Sequence, residues 1–395
     1  MKVLYNQKFQ IPNLKSSVIL RGVFVGIWCL LFGISASAAC GKFTKTIKET
    51  FRVEANTSIE AVNKHGDMHI HTWDKNEVSY EVTVTVEAKT EADAQDELER
   101  IEVEFTNIPG VVRAETHWQE KEKKGWWIFD WTSWGNWNGW EDGNKIRVDY
   151  EIYMPAANVV NFNNKYGNIT FPTFENDAKF TLKYGNMTGE RVGGSFNLDI
   201  GYGDADVQSV GGESQVNLRY GKFRVYVLQS IDIDSKYSKI YLDNTYDIRI
   251  NSKYDHYELG KINNLHSDGK YDDFEIEEVN NVEIDSKYSD YKIYEMTGEG
   301  DFDMEYGDAN IKNMSKNFGN LQVEGSYADF TFYMCCDAAY EVDAESSYGD
   351  LDFPNDRHLD IHKDGADIEV EGYVGRPNSG NRIRARLRYG SLRVD

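Results

Sequence analysis

The densest concentration of ligand-binding chemistry in the sequence is the segment 125–140, which holds Trp126, Trp127, Trp131, Trp134, Trp137 and Trp140, six of the nine tryptophans. The last four recur at every third position, separated by Gly, Asn, Ser and Thr, a spacing that no single buried face of a helix or strand requires. Indole rings presented on a loop form platforms for sugar rings, peptides or a lipid interface. These six are therefore the candidate ligand-binding residues, with a surface glycan or protein as the expected partner. The competing reading is a long connection that folds back and packs its rings onto the body. His69 and His71 share a strand face and would supply half of a metal site, but no third ligand stands at a supporting distance. A polar strand face is expected there, with no metal and no cofactor. The acidic stretches 268–273 and 298–301 lack calcium-loop patterns and read as solvated surface. Hydrolysis needs two convergent carboxylates, and elimination needs a base beside a neutralising cation. Here carboxylates recur everywhere without a distinguished pair, and no nucleophile elbow or phosphate loop is present. The sequence reads as non-catalytic.

The elements that would position such residues come from a repeat. A block reading Lys-Tyr-Gly-Asp or a close variant is centred on Tyr166, Tyr184, Tyr202, Tyr220, Tyr237, Tyr254, Tyr271, Tyr288 and Tyr306, with later copies at Tyr327, Tyr348 and Tyr389. From Tyr166 to Tyr306 the spacing is always 17 or 18 residues, which marks a repeat architecture. Apolar pairs alternate on both sides of each block, as in Ile231 and Ile233 before Tyr237 and Ile240 and Leu242 after it. Alternation means one face in and one face out, so each repeat is two short strands and two turns. An all-β, parallel single-stranded β-helix with coils of 17–18 residues is expected, in preference to an antiparallel meander. The nine tyrosines from Tyr166 to Tyr306 would then form a structural ladder at one corner. A left-handed turn is expected at the Gly that follows the Tyr in most blocks. Lys236, Lys253, Lys270 and Lys287 would stack as like charges, offset by Asp234, Asp273, Asp285 and Asp290.

The chain has 395 residues, 43 Lys and Arg against 66 Asp and Glu, and a formal charge of −23. Such an acidic balance excludes nucleic acid as a partner and disfavours docking on an anionic membrane. Lys2, Lys8, Lys15 and Arg21 precede an apolar run over 22–34, and Ala36-Ser37-Ala38 follows as a small-x-small cleavage site. This reads as a signal peptide over 1–38. Loss of those four basic residues takes the charge from −23 to −27. Ser37-Ala38-Ala39-Cys40 also forms a loose lipoprotein box, so membrane attachment is expected only through a lipid on Cys40. Export leaves Cys40, Cys335 and Cys336, too few for a disulfide framework, and the adjacent pair reads as buried thiols.

Residues 39–155 differ from the repeat domain at 156–395. Thr90-Glu91-Ala92-Asp93 resembles a capping box, and Ala94, Leu98 and Ile101 follow at helical spacing, predicting one short helix over 91–101 that caps the stack. Val78 to Val86 alternate before it, Val103 and Phe105 follow, and Ile146 to Ile152 precede Pro155. His65-Gly66-Asp67-Met68 mimics a repeat block. Taken in order, the leader, this strand-rich start, Tyr150-Glu151-Ile152-Tyr153-Met154-Pro155 and the serial Tyr blocks resemble the bacterial putative-adhesin family of exported β-helix proteins, a domain of unknown function. The resemblance implies a parallel β-helix in the periplasm, at the outer membrane or at the cell surface. The expected role is an exported, non-catalytic β-helix that presents a surface for adhesion or envelope scaffolding. The alternatives are a carbohydrate-active lyase or hydrolase on the same scaffold, or an envelope polymer. Arg382, Arg384, Arg386 and Arg388 place a basic strand in what the sequence makes the last coil, where a charged cap that blunts the open edge is expected and self-association with the acidic flank of another copy is the alternative.

Overall fold

The computed structural model describes residues 41–119 and 145–395. About 74% of it is strand, with one helix, and the described strands hydrogen-bond into a single sheet wound as a β-solenoid of about 10 turns. The parallel β-helix expected from the period is therefore the fold.

The regular rungs Lys222–Lys236, Lys239–Lys253, His256–Lys270 and Asp273–Lys287 pair in parallel over nearly their full length. Register makes like residues stack, so Ile231, Ile248, Leu265 and Val282 form one buried inward column. Each such fully buried side chain contributes about 2 kcal/mol. Tyr257, Phe274 and Tyr291 stack inside at 4.5 Å between ring centroids. The change from an 18-residue to a 17-residue period falls at a register shift between Val210 and Glu213, a bulge-like irregularity within the strand Asp204–Arg219.

Hydrogen bonding continues without a break into the N-terminal part. Ser58–His65 pairs with Val159–Tyr166, and Met68–Thr72 pairs with Ile169–Phe171. The helix runs over Glu91–Arg100, with Thr90 Oγ1 accepting from the Asp93 amide at 3.2 Å. It buries Ala94 and Leu98 and packs on the strands Gly41–Arg52, Glu77–Ala88 and Ile101–Ile108. Gly41–Arg52 and Ile101–Ile108 each pair on one side only, so the helix lies at the open end of the stack.

Three local expectations are corrected. The left-handed residue of the block is the tyrosine itself in ten copies, with φ between 54° and 62° from Tyr202 to Tyr389. Gly takes positive φ in its place at Gly167 and Gly185. The Gly that follows Tyr202 serves a different need, since a Cβ on Gly203 would stand 1.8 Å from the Gly185 carbonyl oxygen of the preceding rung. Second, Cys335 is half-buried and Cys336 exposed, both unpaired, because the chain turns just after the strand Asn320–Met334.

Third, the Arg strand is not an end of the stack. Arg382–Arg388 inserts in parallel between Asn320–Met334 and Tyr340–Ser347, so the chain terminus fills an interior rung. Arg382 meets Glu341 at 2.5 Å and Arg386 meets Asp343 at 2.8 Å, because the rung beyond supplies acidic residues in register. The true end is covered by the antiparallel hairpin of Leu359–Asp364 and Asp367–Val374. Its outermost strand carries Asp360, His362, Lys363 and Asp364, charges that discourage further edge pairing.

Insertion of the terminal strand depends on Asn381, which is 6% exposed. Its amide donates to the Lys316 and Ala339 carbonyls at 2.7 and 2.8 Å, and its oxygen accepts from the Gly319 amide at 3.1 Å. Asn381→Ala leaves those buried groups unpaired and is expected to cost about 2 kcal/mol, measured by guanidinium unfolding.

Candidate functional site

The block residues together build one corner of the solenoid. Starting from His65, the rings of Tyr166, Tyr184, Tyr202, Tyr220, Tyr237, Tyr254, Tyr271, Tyr288, Tyr306, Tyr327, Tyr389 and Tyr348 stack face to face in that spatial order. Centroids lie between 4.7 Å, at Tyr288 on Tyr306, and 5.1 Å, at Tyr184 on Tyr202, which is the rung spacing of a parallel sheet. Most of these rings remain about half exposed, Tyr254 at 40% and Tyr348 at 64%, so their edges and hydroxyls form a continuous outer rail.

Burial, with Lys64 and Lys165 alongside, pushes His65 down to about 4. The imidazole is neutral at ordinary pH and can stack on Tyr166 at 4.9 Å.

The lysines preceding the ladder are in register, as expected for stacked like charges. Lys236 and Lys253 lie over their own tyrosine rings at 5.3 and 5.0 Å, and Lys287 pairs with Glu305. Ring faces and Glu305 thus supply the direct contacts, and Asp285, expected to offset the stacked lysines, adds attraction to Lys287. The fourth block residue has a backbone role that the repeat only hinted at. The side-chain oxygen of Asp67, Asn168, Asn186 and Asp204 accepts the amide of the same position one rung on, at 2.8 to 3.0 Å.

Where Ser or Asp replaces the block glycine, a buried polar column appears. Asp255 and Asp272 are each 4% exposed. Asp255 accepts from the Ser238 amide at 2.6 Å and Ser235 Oγ at 2.7 Å; Asp272 accepts from the Asp255 amide at 2.8 Å and Ser252 Oγ at 2.9 Å. Burial pushes each carboxyl up to about 6 despite these donors. Sequence reasoning missed this pair, whose signal was the departure from glycine at one point of an otherwise regular block.

The remaining candidates lie apart. His69 Nδ1 meets Thr170 Oγ1 at 2.8 Å and His71 Nε2 meets Glu151 at 2.6 Å, so the two imidazoles serve separate partners. Trp126, Trp127, Trp131, Trp134, Trp137 and Trp140 lie outside the described residues, as do the leader and Cys40. Among the described residues the side faces carry shallow grooves. One of about 800 Å³ is lined by Arg249, His266, Glu283, Asp301 and Gln322.

A parallel solenoid with a serial tyrosine block invites comparison with known proteins. The family model described as Toastrack DUF4097 matches residues 141–373, more than half of the chain. The chain belongs to the Toastrack DUF4097 family. No curated protein matches this Toastrack chain in sequence. Among solved structures it is similar to a putative cell adhesion protein from Clostridium sporogenes, at 10% identity over 89% of this chain and 99% of that one, with a TM-score of 0.16. It is also similar to a putative adhesin from Bacteroides fragilis, at 9% identity over 89% of this chain and 97% of that one, with a TM-score of 0.19. Superpositions this loose carry no argument about function, and the Toastrack assignment rests on the family match.

Proposed function

We propose that this Toastrack chain is an exported, non-catalytic β-solenoid whose side faces present a binding surface for adhesion or envelope scaffolding. The observation that carries this reading is the repetition of outward chemistry. Columns of like side chains, above all the half-exposed tyrosine rail, run rung after rung instead of converging on one reacting point. Repeated columns suit an extended ligand, whereas catalysis needs a few groups brought to one place. On this reading residues 1–38 are a removed signal peptide, residues 39–155 start the stack and 156–395 form the repeat domain, with Cys40 as the site of lipid attachment. On the same reading the six tryptophans from Trp126 to Trp140 contribute to ligand binding. Association of copies would run through exposed arginine side chains on the face, since the arginine strand offers no free edge.

The test is binding of the purified mature chain to bacterial envelope fractions and to a glycan array, with reducing-end release from the same polysaccharides measured in parallel. Saturable binding without bond cleavage is expected. Turnover, or no binding to any envelope fraction, would overturn the reading.

A further inference from the structure

One groove breaks the regularity of the side face in a way that points to a ligand. It spans five rungs, has a volume of about 840 Å³, and is lined by Arg224, Tyr226, Tyr241, Gly260, Glu277 and Tyr294, with further carboxylates at Asp243, Glu258 and Glu275. Register places Tyr226, Asp243, Gly260, Glu277 and Tyr294 in one outward column, since their neighbours Val225, Leu242, Leu259, Ile276 and Ile293 pair in sequence. The column therefore carries a tyrosine at each end and, between them, a glycine flanked by two carboxylates. At about 4.8 Å per rung the two tyrosines stand roughly 19 Å apart.

The chemistry of the lining is selective. Tyr226 and Tyr294 are 38% and 43% exposed, and both lie off the stacked ladder. Tyr241 is held by Lys222 at 4.8 Å and Arg224 at 4.9 Å, and Tyr294 by Lys292 at 4.7 Å, contacts that fix the rings without burying them. Lys292 is also paired with Glu275 at 2.8 Å and Lys261 with Glu278 at 2.6 Å, which leaves those cations engaged. Asp243 and Glu277 have no ion pair or side-chain hydrogen bond among the described residues, and they project from the middle of the column as free acceptors.

The four carboxylates stand against Arg224 and Lys261 in the lining and Lys222 and Lys292 over its rings, so the charges balance and the groove has no net field to draw in phosphate, sulfate or uronate groups. Aromatic faces at two ends with hydroxyl acceptors between them fit a chain of neutral sugars, whose apolar ring faces stack and whose hydroxyls donate. The groove at Arg249 and His266, of similar size, has no Phe, Tyr or Trp in its lining. We infer that this groove is a subsite for a short neutral oligosaccharide, stacked on Tyr226, Tyr241 and Tyr294 and hydrogen-bonded to Asp243 and Glu277. This rests on the reading of the solenoid as a binding surface and narrows it to one ligand class and one place.

The test is calorimetric titration of the mature chain with neutral tetrasaccharides built from glucose, xylose, mannose or N-acetylglucosamine, at 0.05 and 0.5 M NaCl. At least one is expected to bind with an affinity that changes less than twofold with salt. Tyr226→Ala with Tyr294→Ala should weaken it at least tenfold, and Glu277→Gln should weaken it severalfold, with circular dichroism and unfolding midpoint unchanged because all three side chains are exposed. Absence of binding to every tetrasaccharide, binding retained in the double variant, or binding abolished by salt would overturn the inference. Envelope binding by the double variant equal to wild type would sink this subsite while leaving the binding surface standing. A wild-type chain that binds no envelope fraction would remove the broader reading instead.

Discussion

Replacing Tyr254, Tyr271 and Tyr288 together by alanine is expected to destabilise the solenoid by roughly 6 kcal/mol, and glycine at the same three positions by less. The triple change removes four ring contacts, from Tyr237 on Tyr254 to Tyr288 on Tyr306, at 4.7 to 5.0 Å. Each aromatic pair contributes about 1 kcal/mol beyond the area it buries, and each half-buried ring loses a further share of its burial. Alanine inherits the left-handed backbone at φ 61°, 62° and 57°, which costs about 1–2 kcal/mol per residue, whereas glycine adopts it freely. The order should invert at Tyr184, whose backbone is not left-handed, so that there alanine is the milder change. Guanidinium unfolding followed by circular dichroism decides the matter. Equal costs for alanine and glycine at Tyr271 would show that the strain is not borne by the tyrosine. The ladder thus does two things, since stacking offsets the strained turn that aims each ring outward.

Raising the pH from 4 to 7 is expected to weaken the folded state by about 2 kcal/mol for each of Asp255 and Asp272, allowing for screening at the turn surface. Both carboxyls titrate near 6 when folded against 3.8 for a free side chain. Below the unfolded value both states are protonated and the pair has no effect. Between the two values the unfolded chain ionises while the buried carboxyls keep their protons, so stability falls as pH rises. Above the folded value the penalty is constant. Asp343 and Glu275 oppose this at the acid end, because arginine and lysine hold them below their usual values and their contribution is lost as pH falls further. The variant Asp255→Asn with Asp272→Asn keeps an oxygen for each backbone amide and offers its new NH₂ to Ser235 and Ser252. It should be flat between pH 4 and 6 and more stable than wild type at pH 8. A variant that follows the wild-type slope would show that other groups carry the pH dependence.

Much of this molecule is written in its period. Tyrosines 17 or 18 residues apart, each between alternating apolar pairs, leave only enough chain for two strands and two turns, so the solenoid and the stacking of the rings follow from spacing and one-sided burial. The capped helix was equally legible, because Thr90 and Asp93 act on their own first turn. Contacts distant in the chain were not legible. Nothing local in Arg382–Arg388 says that it enters between two rungs formed earlier; that follows from acidic partners about forty residues upstream in register and from the buried Asn381 bonds. Nor does a Tyr-Gly dipeptide say which of its residues takes the left-handed turn, since the stack that holds the tyrosine there comes from other coils. The neutral groove has the same origin, because Tyr226, Glu277 and Tyr294 lie in different repeats and only parallel register sets them in one column. The sequence by itself determined the period, the strand polarity and the corner tyrosines, all of which are local and repeated. Tertiary structure alone decided the strand order at the C-terminal end, the buried carboxyl pair and the composition of the side faces, because each depends on which coils become neighbours.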